Sequence, residues 1–332
     1  MLKLILPLAS ATLFLLLLIT IFLLRLKLSK NHDIEKSSTT HKTNNNNKTD
    51  HTPLPPPPEL TTFEGGQDLT IDEILEAPGE VIGKSHYGTL YKAVLQTTQT
   101  IRLLRFLRPA AAGGEDQHDL VRFLGSVRHR NLVPLLGFYA GGRGEKLLVH
   151  PFYEHGNLAE FIRDDGESKN WEVICKIAIG IARALHHLHS GLQKPISHGN
   201  LNSKNVLLDQ NLDPHVSDFG LHLLLNSAAT REMLQVSASS GYKAPELINM
   251  THADERTDVY SYGKILLELL ISAKEPTIRN PVATGDSGVS GEQILRCLVQ
   301  IGEDCCRSSP NLRPDFREVI AKIEEIRRIE KN

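Results

Sequence analysis

Two short segments in the middle of the chain carry side chains whose types and spacing could do chemistry. The first, residues 197–208, contains Asn200 and Asn205, and the second, Asp-Phe-Gly at 218–220, begins ten residues after it. Asn200 carries an amide, which has no basic site near neutral pH, so it can orient a hydroxyl group but cannot accept its proton. Loss of a general base typically removes about 10²–10⁴-fold of rate. Asn200 can therefore take part in a polar site, but it cannot serve as the base of that site.

The composition limits the kinds of partner that this chain can have. It has 332 residues, 40% of them hydrophobic, and a net charge of −2. That length allows one large domain or two lobes, and the absence of a basic excess argues against nucleic acid as a ligand. The four cysteines have no metal-ligand spacing and are expected to be reduced thiols of a cytosolic domain. They are Cys175, Cys297, Cys305 and Cys306.

Residues 4–24 form an apolar run without a charged side chain. At about 1.5 Å per residue, a helix of this length spans a bilayer core of roughly 30 Å, so the run predicts a transmembrane helix. A cleaved secretory signal is the alternative, but no small-residue cleavage site follows the run. Positive charge on its C-terminal flank, at Arg25, Lys27 and Lys30, predicts that the following residues are cytoplasmic and that residues 1–3 are extracytoplasmic.

Residues 25–67 are predicted to be a disordered juxtamembrane linker. This stretch contains four consecutive asparagines at 44–47 and four consecutive prolines at 55–58. Such a polar segment cannot bury enough apolar surface to offset its chain entropy, and the proline run is locally stiff.

From residue 68 the chain resembles the plant receptor-like protein kinases of the leucine-rich-repeat receptor type, over about 260 residues. The landmarks are a glycine-rich stretch at 83–93, His-Arg-Asn at 129–131, Gly-Asn-Leu at 156–158, the segments at 197–208 and 218–220, Ala-Pro-Glu at 244–246, Asp258 and Arg313. The resemblance implies an α+β, bilobal protein kinase fold for residues 68–330, with a β-rich N-lobe at about 68–150 and a helical C-lobe at about 154–330. No leucine-rich repeat is visible, so we expect this member to lack the receptor ectodomain.

The resemblance also assigns roles in the catalytic segments. Asn200 stands at the position of the catalytic aspartate, and Gly199 at that of the arginine that receives an activation-segment phosphate. Asn205 and Asp218 stand at metal-ligand positions.

The nucleotide positions implied by the resemblance are partly kept. Gly83 and Gly88 remain in the glycine-rich loop, whose backbone N–H groups approach phosphates, while Ser85 replaces the middle glycine. Tyr153 would lie in the hinge between the lobes.

The third strand of the resembled fold has lost its lysine. An alignment without a gap places Leu104 at the position of the phosphate-gripping lysine and Leu120 at that of its glutamate partner on helix C. Two leucines in contact would avoid a stranded buried charge. Arg102 would then point at the adenine site, since strand side chains alternate. One extra residue in the preceding turn would instead place Arg105 at the lysine position.

Parts of the resemblance are structural. Glu246 and Arg313 are expected to form the buried ion pair that anchors the activation segment. An apolar column linking the lobes is expected from Leu124, Leu135, His198 and Phe219.

The sequence thus predicts a membrane-anchored pseudokinase of the plasma membrane that acts as a scaffold or allosteric partner of active receptor kinases or other signalling proteins. No catalytic residue is expected, because Asn200, Leu104, Leu120 and Gly199 are degenerate. No cofactor is required, although ATP and Mg²⁺ remain possible ligands. The alternatives are a weak or atypical serine/threonine kinase that uses ATP and a nucleotide-binding switch without turnover.

Overall fold

The computed structural model describes most of the chain after residue 56. The described residues are 57–85, 87–107, 116–142, 144–164, 169–239, 241–248, 253–273 and 291–331. The predicted transmembrane segment, 4–24, and residues 25–56 of the predicted linker lie outside this part. Among the described residues, no helix has both the length and the apolar character needed to cross a bilayer.

The N-terminal part is an antiparallel sheet with the order β1-β5-β6-β4-β3-β2. Its strands are β1 (Glu59–Thr62), β2 (Gly79–Ser85), β3 (Gly88–Val94), β4 (Ile101–Leu107), β5 (Gly137–Ala140) and β6 (Lys146–Pro151). Two helices accompany it, α1 (Ile71–Glu76) and α2 (Asp116–Ser126). The helix α2 takes the place of helix C in the predicted fold.

The strand β1 corrects the predicted start of the folded domain. It lies within residues 25–67, which the sequence assigned to a disordered linker, yet each of its four residues pairs with β5. Leu60 packs on a cluster that includes Leu69 and Leu104. The ordered domain therefore begins before residue 68, because a short polar-looking segment gains backbone hydrogen bonds and apolar contacts from distant parts of the chain.

The C-terminal part is helical. Its helices are α3 (Leu158–Arg163), α4 (Trp171–Ser190), α5 (Leu221–Leu224), α6 (Ser227–Ser239), α7 (Glu255–Ser272), α8 (Gly291–Cys305) and α9 (Phe316–Lys331). A two-stranded sheet, β7 (Val206–Leu208) with β8 (Pro214–Val216), lies among them. The predicted bilobal kinase fold is confirmed for the described residues.

Two helices of the C-lobe begin at side-chain caps that the local sequence provides. Asn170 accepts a hydrogen bond from the backbone N–H of Val173 at the start of α4, and Asp254 accepts one from Thr257 at the start of α7. Caps of this kind satisfy N–H groups that the first helical turn leaves unpaired. The capped helix α7 in turn positions Asp258, one turn from its start, under the segment that carries Asn200.

The ion pair predicted to anchor the activation segment is confirmed. Arg313 donates to both carboxylate oxygens of Glu246, at 2.6 and 2.8 Å. Arg313 is fully buried and further donates to the carbonyl oxygens of Arg307 and Arg256. Burial tends to raise the pKa of Glu246, but the hydrogen bonds from Arg313 outweigh it and lower that pKa below its usual value.

Candidate functional site

A cleft of about 1010 Å³ opens between the sheet of the N-lobe and the helices of the C-lobe. Apolar side chains of both lobes line it, among them Leu103, Val133 and Leu207. Polar groups converge at its other end, including Arg105 and Asp218. A concave site with an apolar part and a few convergent polar groups is typical of a ligand-binding site.

Asp258 holds the segment that contains Asn200. Its carboxylate accepts hydrogen bonds from the backbone N–H groups of His198 and Gly199, at 2.6 and 3.0 Å, and from His189 Nε2 at 2.9 Å. Burial would raise the pKa of Asp258, but the hydrogen bond and charge of His189 and the N–H of Gly199 lower it. The loop is therefore held in place although its catalytic residue is missing.

Asn200 is buried and its backbone oxygen is used structurally. The side-chain amides of Asn202 and Asn205 each donate to Asn200 O, at 2.9 Å. The position predicted for a general base thus carries a group that cannot accept a proton.

The strand β4 has the alternative register. Arg105, not Leu104, faces the cleft, and its guanidinium lies 2.7 Å from Asp218 Oδ2. Leu104 is 3% exposed and packs on the opposite face of the sheet, with Leu147 and Val149. The prediction that Leu104 takes the lysine position is therefore wrong, because side chains on a strand alternate and a shift of one residue moves each to the other face.

Two further predictions change with this register. Arg102 does not point at the adenine site; it forms an ion pair with Asp68 at 3.8 Å on the other face of the sheet. Leu120 packs against the main core, in a different cluster from Leu104, so the expected contact between these two leucines is also wrong. The partner of the cleft cation is Asp218, on the C-lobe side, instead of a glutamate on α2.

Asp218 and Arg105 form what we call the cleft ion pair. Their side chains are only 4% and 11% exposed. Asp218 has a φ of 63°, a left-handed conformation that aspartate tolerates better than most residues. The contact between Arg105 Nη2 and Asp218 Oδ2 is an ion pair without hydrogen-bond geometry. Arg105 Nε and Asp218 Oδ2 have no hydrogen-bond partner among the described protein atoms.

Tyr87, in the loop between β2 and β3, lines the cleft together with Arg105 and Asp218. Its ring lies 6.0 Å from the Arg105 guanidinium, within reach of a cation–π interaction. Burial and the charge of Asp218 raise the pKa of Tyr87, while Arg105 and hydrogen bonds with Ser85 and Asn200 act in the opposite direction. The phenol therefore stays protonated, with hydrogen bonds to Ser85 and Asn200.

The helix α6 supports Tyr87 from the C-lobe. Ala229 and Met233 of α6, together with Leu225, form a small apolar cluster on which Tyr87 packs. Met233 and Val236 also line the cleft. This helix follows the Asp-Phe-Gly segment after the short helix α5, so part of the activation segment lines the cleft.

His222 occupies the space beside Gly199. A Cβ atom at Gly199 would lie 2.7 Å from His222 Nδ1, and Gly199 has a φ of 75°. A larger side chain there would collide with the imidazole and strain the backbone. His222 thus occupies the space that the side chain of an arginine at position 199 would need.

The predicted nucleotide positions have different surroundings. Gly83 lines the cleft, whereas Gly88 is buried in the sheet, where a Cβ atom would overlap Phe106 O. Tyr153 lines the cleft and lies 4.4 Å from His215, ring centre to ring centre, and burial raises its pKa to about 12.

The predicted metal ligands, Asn205 and Asp218, both line the cleft. They supply oxygen donors suited to Mg²⁺, but the Arg105 guanidinium lies against the Asp218 carboxylate and would repel a dication. Among the described residues, no group of three or more histidine, cysteine, aspartate or glutamate side chains could hold a metal ion. The residues present do not fit Mg²⁺ in this arrangement.

Sequence reasoning left Arg105 as an alternative and missed Tyr87, α6 and His222. Arg105 could be found from its position one residue after Leu104. No local pattern indicates the roles of Tyr87 and His222, because each depends on contacts with residues distant in the chain.

The fold and the site define the chain as a member of the protein kinase family. The family model for protein tyrosine and serine/threonine kinases matches residues 77–323, and the chain belongs to that family. Among relatives, the kinase-like protein TMKL1 of Arabidopsis thaliana is 36% identical over 299 residues, covering 81% of this chain and 44% of that protein. The "Probable inactive receptor kinase At1g48480" of Arabidopsis thaliana is 34% identical over 288 residues, covering 77% and 42%.

A solved structure with the same fold is the pseudokinase domain of BIR2, described as an immune regulator of the RLK/Pelle family. It has a TM-score of 0.61 and 26% sequence identity, covering 75% of this chain and 81% of that one. The predicted resemblance to receptor-like kinases is confirmed. The chain spans less than half the length of these two curated relatives.

Proposed function

We propose that this protein is a pseudokinase that works by binding protein partners and does not transfer phosphate. The observation that carries the proposal is the cleft ion pair. Arg105 and Asp218 neutralise each other at 2.7 Å, so neither the cation that would grip phosphate nor the carboxylate that would hold a metal is free for that role.

The chemistry of phosphoryl transfer then lacks three parts. Transfer depends on positioning and on charge stabilisation by metal ions, a phosphate-gripping cation and a residue that orients or deprotonates the attacking hydroxyl. Asn200 cannot deprotonate it, Asp218 is paired with Arg105, and the Tyr87 ring lies 6.0 Å from the Arg105 guanidinium. The fold is nevertheless kept, with its Glu246–Arg313 anchor and its capped helices, as expected for a binding module.

The proposed setting is the cytoplasmic face of the plasma membrane, with active receptor kinases or other signalling proteins as partners. The apolar run at 4–24 and the positive flank after it support the anchoring. The receptor kinases among its relatives, some named as inactive, support the choice of partner. This part of the proposal is tested by affinity capture from membranes of the cells that express the protein, with the Arg313→Ala variant as a misfolded control.

The test of lost catalysis is a phosphoryl-transfer assay on the purified full chain with labelled ATP and Mg²⁺. We expect no transfer above a buffer blank. Repairing Asn200 with aspartate alone should do little, because groups that act as a unit are not additive. Transfer that vanishes in Asp218→Ala would instead establish the weak kinase.

A nucleotide-binding switch without turnover is a second candidate, favoured by one observation. Arg102 leaves the apolar part of the cleft clear, and Leu103, Val133 and Leu207 still line it. An adenine ring could therefore bind there although Arg105 and Asp218 are paired with each other. A rise in melting temperature with ATP alone would support this candidate, since a ligand that binds the native state stabilises it. No change at ATP concentrations of several millimolar would exclude it.

A further inference from the structure

The segment that leads into the folded domain contacts the C-terminal end of α2. We call residues 59–70 the clamp segment. Its first four residues form β1, and the backbone N–H of Phe63 donates to Leu136 O at 2.9 Å. These bonds hold the clamp segment against the loop that connects α2 to β5.

Phe63 packs directly on α2 at Gly125. A Cβ atom at Gly125 would overlap three atoms of the Phe63 ring. Glycine inside a helix costs stability relative to alanine, so its presence here has a specific use: it admits the aromatic ring to the helix backbone. The fit between these two residues is therefore close enough that neither can change size independently.

Arg128 ties the same region together. Its guanidinium donates to Gly125 O and Val127 O at 2.7 and 2.9 Å, which are carbonyls at the end of α2. It also donates to Glu64 O at 3.2 Å and lies 3.5 Å from the Glu64 carboxylate. One side chain thus bonds the end of α2 to the clamp segment.

The residue before Gly125 contacts the Asp-Phe-Gly turn. Leu124 packs on Gly220, where a Cβ atom would lie 2.7 Å from Leu124 Cδ2. Gly220 is two residues after Asp218, a member of the cleft ion pair. The clamp segment also contacts β4, since Asp68 pairs with Arg102, which lies three residues before Arg105. The clamp segment is therefore linked to the turn that carries Asp218 through α2 and Leu124, and to the strand that carries Arg105 through Arg102.

We propose that the clamp segment is a conformational control built into this fold: it holds α2 against the Asp-Phe-Gly turn and so sets the state of the cleft ion pair. A partner, or a displacement of the chain before residue 59, that lifts Phe63 from Gly125 releases α2 and, through Leu124, loosens the turn. The coupling runs through contiguous packed side chains. It does not depend on the proposed loss of catalysis or on any nucleotide.

The test is hydrogen exchange of the full chain, followed by mass spectrometry of peptides covering 116–126 and 217–224. We expect Phe63→Ala to raise exchange in both peptides by about tenfold or more, because local opening of α2 becomes easier. Leu60→Ala is the matched control: Leu60 lies on the same segment but packs on the sheet. It should leave both peptides within about twofold of the parent, and a peptide covering 171–190 should be unaffected by either variant.

A second variant tests the contact itself. Gly125→Ala should accelerate exchange of 116–126 in the parent, where the new methyl group meets Phe63. It should slow exchange in the Phe63→Ala background, where the space is open and alanine is the better helix former. This reversal of sign is specific to a direct contact.

Three results would overturn the proposal. Equal effects of Phe63→Ala and Leu60→Ala would show that both substitutions only lower the overall stability, with no specific role for the contact of Phe63 with α2. Faster exchange at 116–126 without a change at 217–224 would show that α2 is not coupled to the Asp-Phe-Gly turn. The same effect of Gly125→Ala in both backgrounds would show that Phe63 and Gly125 are not in direct contact. If Phe63→Ala unfolds the whole domain, so that 171–190 exchanges freely, Phe63→Leu replaces it in the same comparison.

Discussion

The guanidinium of Arg105 lies 2.7 Å from the carboxylate of Asp218, with both side chains almost fully buried. One member comes from a strand of the N-lobe and the other from the turn that begins the activation segment. The pair therefore links the lobes at the point where an active kinase would hold metal and phosphate. The predictions that follow concern this pair, the other buried charges and the topology of the chain.

Removing one member of the cleft ion pair should destabilise the domain. We expect Arg105→Ala to lower the free energy of unfolding by about 3–5 kcal/mol, because Asp218 would be left as an uncompensated buried charge. Arg105→Ala combined with Asp218→Asn should recover much of that loss, and Arg105→Lys should cost less than Arg105→Ala. Midpoints of urea unfolding for the parent, Arg105→Ala, Arg105→Lys, Asp218→Asn and the double variant measure these differences. Additive single effects would show that the two side chains do not interact in solution.

The same pair should make the protein indifferent to Mg²⁺. The melting temperature of the parent should not change when Mg²⁺ is added, since Arg105 already neutralises the charge of Asp218. In Arg105→Ala the Asp218 carboxylate is released and can bind Mg²⁺ together with the Asn205 oxygen, so Mg²⁺ should raise the melting temperature. That rise should disappear when Asp218→Asn is added. A rise with Mg²⁺ in the parent protein would contradict the proposed neutralisation.

The anchor between Glu246 and Arg313 should be much stronger than an exposed ion pair. Glu246→Ala should cost about 3–5 kcal/mol, because Arg313 is fully buried and would lose a bidentate partner. The pair Arg328 and Glu324 on α9, 3.8 Å apart with Arg328 largely exposed, is the control, and Arg328→Ala should change stability by about 0.5 kcal/mol or less. Urea midpoints would decide, and similar costs for the two substitutions would contradict the prediction.

His129 should make stability depend on pH. Burial, together with the nearby cations His187, Arg130 and Arg183, lowers its pKa from 6.5 to about 4. The unfolded chain then binds more protons than the folded one between these values, so stability should fall as pH falls from 6.5 towards 4 and level off below. His129 is partly exposed, so after allowance for solvent screening its share between pH 7 and 5 is about 1 kcal/mol.

His129→Gln isolates this contribution from that of the other histidines, since glutamine does not titrate. The variant should lose about 1 kcal/mol less stability between pH 7 and pH 5 than the parent does. Urea midpoints of the two proteins at both pH values give the difference. An identical pH dependence would show that His129 keeps an ordinary pKa.

The topology predicted from residues 4–24 can be tested at Asn47. Asn47-Lys48-Thr49 is a glycosylation acceptor that is modified only if it reaches the secretory lumen. Since the linker is predicted to be cytoplasmic, Asn47 should remain unmodified in cells. A glycosidase-sensitive increase in mass that is lost in Asn47→Gln would show the opposite orientation.

The features readable from the chain alone were those carried by local motifs. Short motifs, recognisable in a single sequence, indicated the kinase-like fold, the amide at Asn200 and the glycine at 199. Glu246 and Arg313 each lie in such a motif as well. The loss of the phosphate-gripping lysine from the strand that is β4 here was equally clear, since neither Leu104 nor Arg105 is a lysine. Chemistry that depends on residue type at a motif position needs no knowledge of packing.

Packing decided everything that depends on which way a side chain faces. A slip of one residue moves a strand's side chains between faces, so only the pairing of β4 with β3 and β6 could choose Arg105 over Leu104 for the cleft. Tyr87 gains its role from α6 and the cleft ion pair, and Phe63 gains its role from a glycine more than sixty residues away. These contacts join residues that are far apart in the chain, and no local pattern specifies them before the tertiary structure forms.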